Sequence, residues 1–266
     1  MPEGVRVLFE DPDIIVCFKR AGIAVESAKL GNTDLVSALK VYLREKNPEG
    51  GVPYLGVVHR LDQPVQGLIV FAKTPSAAAD LSRQAAGREM KKVYRALVYV
   101  RDGARTPDRG RLEDMLVRDG RTNMSRVVQG KVPGARKAVL EYELLERRTL
   151  INGAAAGEDS GEPAQETVAA GHGEMAQEPG AAGYGEMALA QITLLTGRHH
   201  QIRVQMAHAG MPLAGDRKYG TGADDGRKYP ALCAFHLEFD HPSGKGRCAF
   251  SLDENDYRLP ENGQNG

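Results

Sequence analysis

An α+β domain with a largely antiparallel mixed sheet and flanking helices is the fold predicted for this 266-residue sequence. Three observations carry that prediction. Strand-like runs recur from "VRVLF" near the start to "LAQITLLT" beyond residue 188. Helical periodicity is confined to a few segments. Those segments are scattered, without the regular strand–helix alternation of a doubly wound parallel sheet. The length suits one large domain or two small ones, and is ample for a sizeable core.

The elements follow in order. Residues 5–9 ("VRVLF") and 13–18 ("DIIVCF") read as short strands joined by the turn "EDPD". Over 33–46, Leu35, Leu39, Tyr42 and Leu43 recur at helical spacing, with Asn32 or Thr33 as N-cap. "GLIVFA" is a buried strand. Thr74 and Pro75 then supply the cap and first position of a helix over 75–86. "KKVYRALVYV" (91–100) is a strong strand with Tyr94, Ala96 and Val98 on one face. Strands are expected at 137–148 and 189–196. A helix is expected over 199–209, where Gly210 is a natural terminator and His199 and Arg203 share a face.

The segment 152–187 stands apart. It is rich in Gly, Ala and Glu, poor in branched apolar residues, and has little surface to bury against the entropy of ordering. It reads as a disordered acidic insert between two strands, either an interdomain linker or an overgrown hairpin loop. The loop is favoured because the chain after it is short for a separate domain. The formal net charge is zero, yet seven acids and no Lys or Arg lie in this segment, leaving 35 basic against 28 acidic residues elsewhere. That surplus permits a polyanionic partner. No apolar run is long enough to span a bilayer, and the first residues carry no secretion signal. Cys17, Cys233 and Cys248 are odd in number and widely spaced. They point to a reducing compartment, the cytoplasm.

Three stretches combine polar chemistry with strand or helix signals: "HRLD" (59–62), "KKVYRALV" (91–98) and "TGRHHQIRVQMAHAGMPLAGDRKYG" (196–220). Arg60 and Asp62 stand against the start of an apolar strand, where unpaired charge is costly. A solvated turn accounts for such a pair as readily as a held carboxylate, and a strand Tyr is usually core. The adjacent His199 and His200 point different ways and lack a third ligand at useful spacing, so no metal site is expected. There is no phosphate loop, no dinucleotide fingerprint and no nucleophile elbow, and no cofactor is expected. One carboxylate, one phenol and several guanidiniums remain, a set suited to cofactor-free chemistry at a sugar or base.

The three stretches, in this order and spacing, resemble the signature motifs of the RluA-type pseudouridine synthases. "VLFEDPDIIVCFKRAGIAV" and "LCAFHLEFDHPSGK" extend the resemblance over most of residues 5–252 outside the insert. The sequence departs from the family at Val65-Gln66 before Gly67, at Lys19-Arg20 after the second strand, and at Cys233. Because the first strand begins by about Val5, one catalytic domain covering 1–266 is expected, without the small N-terminal RNA-binding domain that many relatives carry. The resemblance implies the pseudouridine synthase fold with a central cleft.

It also implies an isomerase that acts on a flipped-out uridine in structured RNA, rRNA or tRNA, as a monomer. Asp62 is then the essential carboxylate, acting at C1′, at C6, or by promoting a glycal. Tyr94 stacks on the uracil and relays a proton. Arg203 is the cation that pairs with Asp62 and lowers its pKa. Arg60, Lys91, Lys92, Arg95 and Arg198 are the candidates for RNA contact, and His59 reads as structural. The competing reading is an RNA-binding or ribosome-assembly protein that kept the fold without the catalysis. A glycoside hydrolase is weaker, since that chemistry uses two carboxylates.

Overall fold

In the computed structural model, the described residues are 4–27, 34–101, 106–151, 154–155, 184–220 and 225–253. Strands β1 (Val5–Glu10) and β2 (Ile14–Lys19) form the opening hairpin. Its turn is closed by Asp11, whose Oδ1 accepts from the backbone N–H groups of Asp13 and Ile14 at 2.8 and 2.9 Å. Helix α1 (Leu35–Lys46) is followed by β3 (Gly56–Val57), β4 (Gln66–Ala72), α2 (Pro75–Gly87) and β5 (Lys91–Arg101). Next come β6 (Arg109–Asp119), β7 (Met124–Val128), β8 (Arg136–Ile151), β9 (Ala154–Ala155) and β10 (Tyr184–Leu194). Helix α3 (Gln201–His208), β11 (Leu232–Asp240) and β12 (Arg247–Ser251) complete the order.

The strands join in the order β1-β2-β4-β11-β5-β10-β8-β6-β7, with β3 on β4 and β12 on β11. Among the described pairings β4–β11 is parallel and the rest are antiparallel, the mixed sheet expected. Gly67 makes that junction possible. Its φ is +131°, and a Cβ there would stand 2.4 Å from the carbonyl oxygen of Ala234.

Period-2 alternation divides the core between the two faces of the sheet. Ile15, Cys17, Ile69 and Phe71 face Leu35, Leu39 and Leu43 of α1, in a cluster that also holds Ile202 and Met206 of α3. Ile14, Val16, Leu68 and Val70 face the opposite way, with Ala77 and Leu81 of α2. The α2 cap is as expected: Thr74 Oγ1 accepts from Ala77 N–H at 3.1 Å, with Pro75 in the first turn.

Three expectations need correction. The α1 cap is Asp34, whose two carboxylate oxygens accept from Ser37 N–H at 2.7 Å and Ser27 N–H at 2.8 Å. Asn32 and Thr33 lie outside the described residues. Helix α3 begins at Gln201, so His199 precedes it and does not share a helical face with Arg203. The acidic segment also gives up its end to the sheet. β10 starts at Tyr184, and Met187 is buried opposite Tyr99 and Arg148.

β8 and β10, the strands on either side of the acidic segment, are antiparallel neighbours in one sheet. Residues 156–183 lie outside the described residues. Replacing 157–182 with a short Gly-Ser turn is expected to change unfolding free energy by no more than about 1 kcal/mol, because closure entropy varies slowly with loop length. Extending the deletion through Met187 removes a buried side chain and is expected to cost about 2–5 kcal/mol. Urea titration of both deletions checks the pair of outcomes.

Candidate active site

The connection from β3 to β4 carries "HRLD" and is fixed from several sides. Leu61 and Val65 are buried in the core, and Val65 N–H closes a turn onto the carbonyl of Asp62 at 3.0 Å. The fully buried ammonium of Lys19 donates to the carbonyls of Ile23 (2.8 Å), Gln63 (3.2 Å), Arg20 (3.3 Å) and Asp62 (3.4 Å). Burial pushes Lys19 down to about 8, opposed by the nearby Asp62 charge. His59 has the structural role expected. Its Nε2 accepts from Val70 N–H at 3.2 Å, and burial holds its pKa at about 3, keeping it neutral.

Tyr94 projects from β5 into the same space and is buried, 7% exposed. Burial and the Asp62 charge both raise its pKa, so it is a neutral phenol. Lys92 shares this face two residues earlier, and burial lowers its pKa. Lys91 and Arg95 have the opposite parity. Lys91 pairs with Glu238 at 3.0 Å, and the Arg95 guanidinium lies 4.8 Å over the Phe235 ring.

The third stretch turns sharply before α3. Gln201 is buried; its Oε1 accepts from Thr196 Oγ1 at 2.8 Å and Arg198 N–H at 3.0 Å, and its Nε2 donates to Val139 O at 3.0 Å. These bonds fold 196–200 back on itself and place His200 in the left-handed region at φ 53°. Arg203 then reaches Asp216 through two hydrogen bonds, Nε to Oδ2 at 2.7 Å and Nη2 to Oδ1 at 2.6 Å. Both side chains are buried.

A cleft of about 590 Å³ opens among these elements. Its lining includes Asp62, Tyr94 and Arg203, together with Arg60, Lys92 and Arg198. Lys91 and Arg95 are not part of it. Two further cations, Arg88 at the left-handed end of α2 and Arg118 of β6, also line it. Asp62 is the one carboxylate among the described residues that line it. Arg60 is largely exposed, 3.9 Å from Glu26, a surface pair of little energetic weight.

The expected Arg203–Asp62 partnership takes a different form. Arg203 hydrogen-bonds Asp216 and reaches Asp62 only through space. Desolvation raises the Asp62 pKa and outweighs the lowering by Arg203, Lys19 and Lys218, so the carboxyl sits above its usual range rather than below it. Outside the cleft, ligand atoms of Asp11, Asp13 and His241 lie within 4.8 Å of one another. Lys245 and Ser243 already bond these carboxylates, at 2.8 Å to Asp11 and 2.7 Å to Asp13.

A partly desolvated carboxylate beside a neutral phenol, in a cleft rimmed with guanidiniums, suits proton transfer or nucleophilic addition on a planar ring carried by a polyanion. Comparison with known proteins points the same way. The sequence profile of the RNA pseudouridylate synthase family matches residues 13–208.

Ribosomal large subunit pseudouridine synthase D of Nitrosomonas europaea is 32% identical over 250 residues, covering 90% of this chain and 58% of the relative. An uncharacterized RNA pseudouridine synthase of Aquifex aeolicus is 28% identical over 264 residues, covering 95% and 71%. The chain thus spans between 58% and 71% of the length of these two relatives. The solved structure of human RNA Pseudouridylate Synthase Domain Containing 1 superposes with a TM-score of 0.66 at 19% identity, over 94% of this chain and 84% of that one, a likeness of fold. With a family match that runs from β2 to the end of α3 and takes in the Asp62 turn, Tyr94 and Arg203, the chain belongs to the RluA-type RNA pseudouridine synthases.

Proposed function

We propose that this protein converts a uridine in a structured ribosomal or transfer RNA to pseudouridine, with Asp62 as the reacting carboxylate. The observation that carries the proposal is the isolation of Asp62: among the described residues it is the one carboxylate facing a cleft whose charged lining is otherwise Arg and Lys. A glycosidase pair would need a second acid there.

The target base leaves its stack to enter the cleft, where Tyr94 offers a face for the uracil. The bond from C1′ to N1 breaks, the base turns, and C5 joins C1′. The C5 proton leaves and N1 regains one, so atoms and electrons balance within the substrate. Arg60, Arg88, Arg118 and Arg198 meet the phosphates around the flipped nucleotide, contacts that position the RNA without reading sequence. Lys92 faces the base from the strand of Tyr94. The single domain acts as a monomer in the cytoplasm, where Cys17, Cys233 and Cys248 remain free thiols.

Mapping pseudouridines in total RNA from cells with and without the gene tests the proposal. The expected result is the loss of one or more pseudouridines in rRNA or tRNA. Identical maps would leave the silent RNA-binding reading standing instead.

A further inference from the structure

We propose that His200 is a positioning residue for Asp62: a neutral imidazole, protonated at Nε2, that donates a hydrogen bond to the Asp62 carboxylate when uridine fills the cleft. The inference rests on the proposed function and extends it to a side chain outside the three catalytic candidates.

The tautomer follows from the hydrogen bonds. Tyr219 Oη accepts from Ser125 N–H at 2.7 Å. Its own hydrogen then has one acceptor among the described residues, His200 Nδ1, at 2.8 Å. An Nδ1 that accepts leaves the proton on Nε2. Nε2 stands 3.7 Å from Asp62 Oδ2, longer than a hydrogen bond but within reach of one that tightens when substrate binds.

The ring is held in this orientation by more than one contact. It stacks on His199 at 3.8 Å between centroids, and Ser125 Oγ in turn bonds His199 Nδ1 at 2.9 Å and His199 O at 2.8 Å. The backbone of His200 has φ 53°, a conformation that costs free energy for a residue other than Gly, Asn or Asp. Strain retained beside a reacting carboxylate suits a side chain that must be aimed.

Burial first, and the cations around it second, keep the imidazole neutral. Arg203, His199 and Lys218 oppose a further positive charge, Asp216 favours one, and desolvation leads, so the His200 pKa falls to about 3. Asp62 is faced by Arg203, Lys19, Lys218 and Asp216, and by the phenols of Tyr94 and Tyr219. Among these groups, His200 Nε2–H is a neutral donor directed at the carboxylate, and it favours the ionised form without adding charge.

Three variants test this on [5-³H]uridine-labelled total RNA from cells deleted for the gene. His200→Asn tolerates the left-handed backbone but cannot reach Asp62. It is expected to lower kcat by 10-fold or more, leave KM within about 3-fold, and move the acidic limb of the kcat profile, which reports the enzyme–substrate complex, up by about one pH unit. His200→Gln keeps a donor near the Nε2 position and is expected to recover most of kcat and return the limb. Tyr219→Phe releases the tautomer and is expected to shift the limb in the same direction by less. An unmoved limb in His200→Asn, or a loss confined to KM or to melting temperature, would overturn the inference. Wild type that releases no tritium from this RNA would overturn the proposed function instead.

Discussion

Asp216→Ala is expected to destabilise the protein by about 3–5 kcal/mol and to abolish activity. Asp216 neutralises Arg203 deep in the fold, where neither side chain has appreciable access to water. Removing one partner of a buried pair leaves the other charge desolvated and uncompensated, which costs far more than the pair itself contributes. Asp216 Oδ1 also accepts from the backbone N–H groups of Lys218 at 2.9 Å and Tyr219 at 3.2 Å, so the turn that carries Tyr219 loses its anchor as well. The double variant Asp216→Leu with Arg203→Met removes both charges and is expected to regain much of the stability without regaining activity. Chemical denaturation alongside a turnover assay separates these outcomes. A near-neutral Asp216→Ala would show that Arg203 is hydrated rather than buried.

Asp62→Asn is expected to behave in the opposite way: full stability and a loss of turnover greater than about 1,000-fold. Burial raises the Asp62 pKa, so the fold disfavours its ionised form. For a group of this kind, stability falls as pH rises from the unfolded value of about 4 through the raised folded value. An amide of nearly the same shape escapes that cost. The Asn variant is therefore expected to melt at or slightly above the wild-type temperature at neutral pH and to keep its RNA affinity. Only the chemistry requires the charge.

Much of the site was readable from local pattern because its parts are short and contiguous. "HRLD" and "GRHHQIR" sit where strand or helix periodicity breaks off, Tyr94 lies within strand β5, and all three line the cleft. Strand parity also separates the cations of this strand. On β5, Lys92 and Tyr94 share a face while Lys91 and Arg95 have the other parity, and only the first two line the cleft.

What escaped was tertiary. Asp216 lies 13 positions from Arg203, and nothing in a linear pattern marks their pairing. Lys19 ends a strand like any surface lysine, yet its ammonium is enclosed by carbonyls from two separate segments. Helix α3 starts late because Gln201 bonds Thr196 and Val139, a constraint from β8 that overrides the helical spacing read at His199. The β6–β7 hairpin was missed because β6 is largely charged, with only Leu116 fully buried along it.

The central claim is that Asp62 performs the isomerisation, and release of tritium from C5 of labelled uridine measures it directly. Wild type and Asp62→Asn are assayed side by side on the same RNA, with a binding titration and a melting curve for each. The account predicts release by the wild type and none by the variant, at equal binding and equal or higher melting temperature. Tritium release by Asp62→Asn at the wild-type rate would contradict it.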